Sequence, residues 1–163
     1  MFNFFHRIEA QGYSGGIWLL WNKLYVVDVV LNHSQFLHVE IMSSGISNLF
    51  FLTIVYGSLC KRLMHGLWGQ LCMLDSNMVK QWIFVGDWIV LLLDDEYEGP
   101  KRHMSHSCGS FQKFMFDFAL KDIGFIGPRF TWKHGVKLER LDRMVCNMEW
   151  SEKFLSAWVK HLH

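Results

Sequence analysis

The order strand, helix, strand in the middle of the chain constrains the fold more than any other feature. Residues 49–56 are apolar on both faces, which is typical of a central strand covered on each side. In residues 62–74, leucines recur at three- and four-residue spacing, which predicts an amphipathic helix. Residues 82–85 form a second short apolar run that ends at Gly86-Asp87. The chain is therefore predicted to contain a covered sheet in which this helix crosses from one strand to the next.

Hairpin-like strands are predicted before this unit, and a second helix and further strands after it. The predicted strands lie at residues 17–21, 25–31, 36–42, 130–132 and 138–146, and the second helix lies at 110–121 with Ser110 as its cap. Residues 150–163 show no clear pattern. No internal repeat, low-complexity tract or linker interrupts the sequence. We therefore predict one α/β domain over residues 1–163, built on a mixed-sheet sandwich rather than a doubly wound parallel sheet.

The composition argues against a disordered, membrane or secreted protein. Apolar residues make up 51% of the chain, yet the segment around residues 49–56 falls short of the about 20 that a membrane-spanning helix needs. The first ten residues lack a secretory signal, so the protein is predicted to be intracellular. The four cysteines are accordingly predicted to be reduced, buried thiols, at Cys60, Cys72, Cys108 and Cys146.

The net charge gives no indication of a nucleic-acid partner. Sixteen Lys and Arg residues against fifteen Asp and Glu residues give a formal charge of +1. Such a balance creates no global field that would attract a polyanion. Any nucleic-acid partner must therefore be argued from a site.

Asp87 is the first candidate for chemistry. It directly follows the predicted strand 82–85, and sheet folds commonly place catalytic groups at the carboxyl ends of strands. The small Gly86 before it lets backbone or ligand approach closely. On position alone, a turn aspartate that caps the next segment is an equally good interpretation.

Six short motifs, taken in their order along the chain, favour an origin of Asp87 in a catalytic site. The motifs are the segment from Gly12 to Asn22, Val55-Tyr56-Gly57-Ser58, Gly86-Asp87 with Asp95-Glu96 and Gly99, Gly124-Phe125 with Gly127-Pro128 and Phe130-Thr131-Trp132, Arg140-Leu141-Asp142-Arg143, and Trp158-Val159-Lys160-His161-Leu162. In this order and spacing, they resemble the endonuclease/exonuclease/phosphatase domain of plant LINE-type retrotransposons, to which DNase I and the abasic-site endonucleases are similar. The resemblance spans nearly the whole chain. It implies a DNase I-like four-layered α/β sandwich with mixed sheets, and Mg²⁺-assisted cleavage of DNA.

The resemblance implies roles for three residues. Tyr56 matches the tyrosine that contacts the scissile phosphate, for which its phenol is a suitable hydrogen-bond donor. Asp87 matches the aspartate that orients or deprotonates the attacking water. Asp142 matches the carboxylate that orients the catalytic histidine. The alternatives are a core tyrosine at Tyr56 and a salt bridge from Asp142 to Arg140 or Arg143.

The departures from the family pattern are as informative as the matches. The family motif reads Gly-Asp-Phe-Asn, but this chain has Trp88 and Ile89, and an isoleucine cannot make the hydrogen bonds of that asparagine. The family also has an Asn and a metal-binding Glu before the Gly15-Gly16 segment, and a Ser-Asp-His motif after the His161-Leu162 pair. We therefore expect a domain truncated at both ends, with an incomplete sandwich, no retained Mg²⁺, no small-molecule cofactor and no measurable nuclease activity.

Other functions remain open from the sequence. Flanking sequence or a partner chain could supply the missing groups and complete an active endonuclease. A non-catalytic nucleic-acid-binding module could use the basic residues Lys133, Lys137, Arg140 and Arg143. A chain that exposes sheet edges could also fold poorly.

Two further clusters contain residues that can bind metal ions. His103, His106 and Cys108 are closely spaced, but no fourth ligand for a structural Zn²⁺ site is evident. The acidic run Asp94-Asp95-Glu96 with Glu98 is better interpreted as a solvated loop than as a cation site.

Overall fold

The computed structural model describes residues 1–10, 15–43, 46–74, 80–100 and 108–162, with the side chains of residues 46–49 left aside. The strands in this part of the chain are β1 (Phe4–Ile8), β2 (Ile17–Trp21), β3 (Tyr25–His33), β4 (Phe36–Ser43), β5 (Ile46–Tyr56), β6 (Gln81–Asp87), β7 (Tyr97–Glu98), β8 (Lys121–Asp122), β9 (Trp132–His134), β10 (Lys137–Glu139) and β11 (Asp142–Cys146). The helices are α1 (Lys61–Cys72), α2 (Gly109–Asp117) and α3 (Met148–Lys153), and a 3₁₀ turn spans Asp94–Glu96.

A six-stranded sheet of order β3-β4-β5-β6-β11-β8 forms the centre of the protein. Strands β5 and β6 are parallel neighbours joined through α1, and the other neighbours in this sheet are antiparallel. The predicted strand–helix–strand unit is thus confirmed, and the strand predicted at 49–56 is central. It begins earlier than predicted, at Ile46.

Two cores cover the two faces of this sheet. Helices α1 and α2 pack on one face, where Leu67 and Phe114 contact a cluster that includes Trp82 and Phe84. On the other face, the antiparallel pair β1–β2 brings Ile8 and Ile17 onto Leu37, Val39 and Ile41 of β4. Helix α3 packs on this second face through Trp150, beside Ile83 and Cys146. A mixed α/β architecture results.

Several local predictions were wrong. Strand β1 was not predicted, and it takes β2 as its partner, so the predicted strand at 17–21 forms no hairpin with β3. The predicted strand at 138–146 is two strands in different sheets, because the chain turns at Arg140-Leu141 between β10 and β11. The strand predicted at 130–132 begins only at Trp132.

The helix ends also differ from the sequence prediction. Helix α2 begins at Gly109 after Cys108, without a side-chain cap, so Ser110 lies inside the first turn and caps nothing. In α1, Met64 is buried and Leu63 is exposed, although Leu63 belonged to the predicted apolar stripe. The leucine spacing thus predicted the helix and most of its buried face, including Leu67 and Leu71, but was wrong for Leu63.

All four cysteines are free thiols, but two of them are not buried. Cys60 and Cys72 are exposed at the two ends of α1, Cys108 is half-buried and Cys146 is buried. The predicted reduced state agrees with this, and the predicted burial was wrong for the first two. Among the described residues, no helix is both long enough and apolar enough to cross a membrane.

Candidate functional site

The three residues singled out from the sequence lie side by side at one end of the central sheet. Tyr56 is the register partner of Asp87 in the parallel β5–β6 pair, and Asp142 is the partner of Asp87 in the antiparallel β11–β6 pair. Register partners point to the same face of a sheet. That face is the one covered by β1 and β2, because Tyr56 packs against their core. The structure therefore brings Tyr56, Asp87 and Asp142 into one row.

Two glycines make the tight backbone packing at this end possible. Gly86 has φ +148°, and a Cβ built there would lie 1.9 Å from the carbonyl oxygen of Val55. A Cβ on Gly57 would lie 2.3 Å from the carbonyl oxygen of Trp88, and the Gly57 amide donates to the Asp87 carbonyl at 2.7 Å. Only glycine fits at these positions, so the row of side chains is held on a closely packed backbone.

The Asp87 carboxyl group is partly shielded from water and lies near a second acid. Burial raises the pKa of Asp87, the charge of Asp142 raises it further, and a hydrogen bond from the Ile89 amide opposes both effects. That amide donates to Oδ1 of Asp87 at 3.1 Å. A carboxyl group with a raised pKa is a better proton acceptor than an exposed aspartate, as a general base requires.

Asp142 is exposed, and Thr131 fixes the backbone that carries it. The Oγ1 atom of Thr131 accepts hydrogen bonds from the amides of Leu141 and Asp142, each at 3.0 Å. Sequence analysis gave Thr131 only a strand position, although the polar side chain between Phe130 and Trp132 was a usable signal. Thr131 is thus a positioning residue for Asp142.

The Tyr56 hydroxyl contacts the backbone just before β2. It accepts a hydrogen bond from the Gly15 amide at 3.3 Å, which leaves its proton available for another acceptor. Its ring contributes to the apolar core between the sheet and the β1–β2 pair. Tyr56 therefore combines a core position with a hydroxyl group that can still donate a hydrogen bond.

The backbone of Ile89 is strained. Its φ of 54° lies in the left-handed region, which asparagine and glycine tolerate and β-branched residues rarely adopt. The neighbouring Trp88 is fully buried and stacks on Phe111 with a ring-centroid distance of 4.8 Å. Trp88 thus fills a core position, whereas Ile89 is an apolar residue in a backbone conformation that suits asparagine.

A cavity of about 300 Å³ lies beside Asp142 on the same face of the sheet. Its walls include Thr131, Lys160 and His161. The His161 ring stacks on Phe125 with a centroid distance of 4.3 Å, and its Nδ1 lies 2.8 Å from the Pro128 carbonyl oxygen. His161 is therefore held in a fixed orientation at the wall of a cavity that opens next to the carboxylate row.

A buried ionic cluster lies on the opposite face of β11. Arg143 binds Glu96 through two hydrogen bonds of 2.9 and 2.7 Å, and Arg140 binds Glu96 at 3.0 Å and Asp122 at 2.9 Å. Burial acts to raise the pKa of Glu96, but hydrogen bonds from Arg143 and from two backbone amides outweigh it and hold that pKa below its ordinary value. Burial also acts to raise the pKa of Asp122, but contacts with Arg140, the Gly124 amide and Arg143 outweigh it, so the pKa of Asp122 is lowered as well. Both arginines are thus neutralised inside the protein.

This cluster overturns three interpretations of the sequence. Arg140 and Arg143 are buried and paired, so they cannot form the basic track proposed with Lys133 and Lys137. Their partners are Glu96 and Asp122, so neither arginine takes the salt bridge considered for Asp142. Glu96 is buried, so the acidic run is not simply a solvated loop.

The site does not fit a resident metal ion well. No group of three or more His, Cys, Asp or Glu side chains that could hold a metal ion occurs within the ranges described above. Asp87 and Asp142 form a pair, and one oxygen of Asp87 is committed to the Ile89 amide. His103 and His106 lie outside the described residues, so the predicted zinc cluster stays a prediction.

Comparisons with known proteins identify the fold. No protein-family model matches the sequence, and no curated protein sequence matches it. The structure is similar to the endonuclease domain of TRAS1, a telomere-specific non-LTR retrotransposon, with a TM-score of 0.64 and 12% identity over 89% of this chain and 68% of that one.

Two further solved structures give the same result. One is D. rerio TDP2 complexed with a single-strand DNA product, with a TM-score of 0.52 and 13% identity over 88% of this chain and 62% of that one. The other is an endonuclease/exonuclease/phosphatase from Bacteroides vulgatus, with a TM-score of 0.52 and 12% identity over 88% and 65%. This chain spans about two thirds of each of the three structures. The fold is therefore DNase I-like, as predicted.

Proposed function

We propose that this chain is a catalytically degenerate DNase I-like phosphodiesterase domain of LINE-type retrotransposon origin, forming one domain over residues 1–163. Its ancestral partner is DNA, and its location is intracellular, in keeping with four free thiols. Tyr56, Asp87 and Asp142 are the remnants of the cleavage site. The proposal rests on the row that these three side chains form and on Ile89, which lies two positions after Asp87.

The proposal depends most on the identity and the backbone conformation of Ile89. The resemblance places an asparagine here, and the backbone has the left-handed φ of 54° that asparagine tolerates. Isoleucine takes on the strain and offers no hydrogen bond to a phosphate or a water. Loss of one such group typically costs a factor of about 10² to 10³ in rate. A strained apolar residue beside an otherwise ordered row is the expected outcome when selection for catalysis has been lost.

The remaining residues support parts of the ancestral chemistry. Asp87, with its raised pKa, would accept a proton from a water molecule. The Tyr56 hydroxyl would donate to a phosphate oxygen, and Thr131 holds the backbone of Asp142. A Mg²⁺ ion would stabilise charge on the phosphate. We propose that it is not retained, since Asp87 and Asp142 alone are a sparse donor set.

A plasmid-nicking assay tests the proposal. The purified chain is incubated with supercoiled DNA and Mg²⁺, alongside Asp87→Ala and Ile89→Asn variants. We expect no nicking above buffer for any of them, because restoring one amide does not restore a metal site. Nicking by the unaltered chain that Asp87→Ala abolishes would refute the proposal and support an active endonuclease.

A further inference from the structure

One buried glutamate, Glu96, holds the backbone segment that follows Asp87. Its Oε2 atom accepts hydrogen bonds from the amides of Leu92 and Leu93, at 2.7 and 3.2 Å. Hydrogen bonds to an ionised carboxylate are stronger than those between neutral groups, and the interior strengthens them further. Glu96 therefore fixes the course of residues 88–93 after they leave β6.

The same carboxylate holds the strand that carries Asp142. It binds the guanidinium groups of Arg140 and Arg143, which lie before and after Asp142 in the chain. The Glu96 carbonyl oxygen also accepts a hydrogen bond from the Arg140 amide at 3.1 Å. Arg143 in turn donates to the Arg140 carbonyl at 3.0 Å, across the turn between β10 and β11. Asp142 is thus held through Glu96 on both sides along the chain.

The strand ladder alone gives this carboxylate pair little support. Asp142 and Asp87 are the last pair of the β11–β6 register, and beyond them the Trp88 amide donates to the Leu141 carbonyl at 3.0 Å. The ends of elements open more readily than their interiors. Repulsion between the two carboxylates favours the same opening. The pair therefore depends on contacts outside the ladder.

We propose that Glu96 is a positioning residue that keeps the carboxylates of Asp87 and Asp142 side by side. It binds the backbone that follows the first and the arginines that flank the second. This role rests on the proposed function, in which the two carboxylates are remnants of one site, but their spacing is measured without catalysis. Nicking activity would refute that function alone, whereas titration of Asp87 decides the role of Glu96.

The electrostatic coupling between Asp87 and Asp142 reports their spacing. Carboxyl-carbon NMR measures the pKa of Asp87 with and without Asp142→Asn, and the difference is the coupling. In the otherwise unaltered chain, Asp142→Asn should lower the pKa of Asp87, because it removes the neighbouring like charge. In a Glu96→Gln background, the same change should give a clearly smaller shift, because the carboxylates separate. The direct effect of the Glu96 charge on Asp87 cancels, since each difference is taken within one background.

Two further variants separate positioning from general stabilisation. In the described part of the chain, the Asp122 carboxylate binds the same two arginines and the Gly124 amide, and not the segment after Asp87. Asp122→Asn should therefore leave the coupling close to that of the unaltered chain. Glu96→Asp keeps the counter-charge of the arginines and should fold even where Glu96→Gln does not. Its shorter side chain cannot reach the amides and the arginines together, so it should reduce the coupling. A coupling that is unchanged in the folded Glu96 variants, or reduced equally in Asp122→Asn, would overturn the proposal.

Discussion

Asp142 lies directly opposite Asp87 across the antiparallel β11–β6 ladder, so two carboxylates share one face at the end of the sheet. Directly opposed positions place the Cβ atoms about 4.5–5.5 Å apart. Like charges at this distance disfavour each other, and this is the second cause, after burial, of the raised pKa of Asp87. The pairing therefore has a measurable cost at neutral pH.

Asp87→Asn should stabilise the protein at neutral pH. The folded-state pKa of Asp87 lies above its ordinary value of 3.8, so the folded state binds the proton more tightly than the unfolded state. Stability from this group is therefore lost as pH rises from 3.8 through the folded-state pKa. Urea unfolding should give a higher midpoint for Asp87→Asn at pH 7, with the difference shrinking below pH 3.8. A lower midpoint at pH 7 would contradict the assignment.

Ile89→Asn should also stabilise the fold. Asparagine relieves the strain of a β-branched residue at φ 54°, which is worth on the order of 1 kcal/mol. Ile126→Asn is a matched control, because Ile126 is exposed and lacks positive φ. It should change the free energy of unfolding by less than about 0.5 kcal/mol. Equal effects of the two changes in urea unfolding would count against strain at Ile89.

Gly86→Ala should strongly destabilise the fold. Its Cβ would lie 1.9 Å from the Val55 carbonyl oxygen in a backbone that L side chains rarely adopt, at a cost of about 3 kcal/mol or more. Gly69→Ala in α1 meets no atom within 4 Å and should instead stabilise the protein by about 0.5–1 kcal/mol. Thermal unfolding of the two variants should shift in opposite directions. A Gly86→Ala variant with unchanged stability would disprove the close approach of β5 and β6.

Glu96→Gln should destabilise the protein by roughly 3 kcal/mol. The change leaves the buried guanidinium groups of Arg140 and Arg143 without a full counter-charge. Asp95→Asn removes the neighbouring exposed pair to Arg129 and should cost less than about 0.5 kcal/mol. Similar losses for both variants in urea unfolding would argue against a buried cluster.

The same cluster should make the fold sensitive to acid. The folded-state pKa values of Glu96 and Asp122 lie below the ordinary values of 4.5 and 3.8. Their stabilisation is therefore complete above those ordinary values and is lost as pH falls through the folded-state values. Unfolding midpoints measured between pH 7 and pH 2 should fall steeply below 4.5 and less steeply in Glu96→Gln. A flat profile in the unaltered chain would contradict this.

The local pattern of apolar residues was sufficient to predict the strands and the helix at the centre of the fold. The apolar run of β5, the leucine spacing of α1 and the short run of β6 each indicate one element, and their order requires a crossover. Pattern could not give the pairing of β1 with β2, because β1 mixes polar and apolar residues without regular alternation. Nor could it show that Leu138 and Met144 belong to different sheets.

The sequence suggested the residues of a candidate site, but it could not give their environment. The motif order singled out Tyr56, Asp87 and Asp142, and the strand register places them next to one another. The burial of Arg140 and Arg143 depends on Glu96 and Asp122, which are distant in sequence, so charge counting assigned the arginines to the surface. The left-handed backbone of Ile89 is likewise a property of the folded chain.

The most direct test of the central claim is the initial rate of supercoiled-plasmid nicking in Mg²⁺, measured for the unaltered chain and for Asp87→Ala. A degenerate site predicts the same background rate for both. A rate for the unaltered chain that is clearly above background, and that falls to background in Asp87→Ala, would show that Asp87 still performs catalysis.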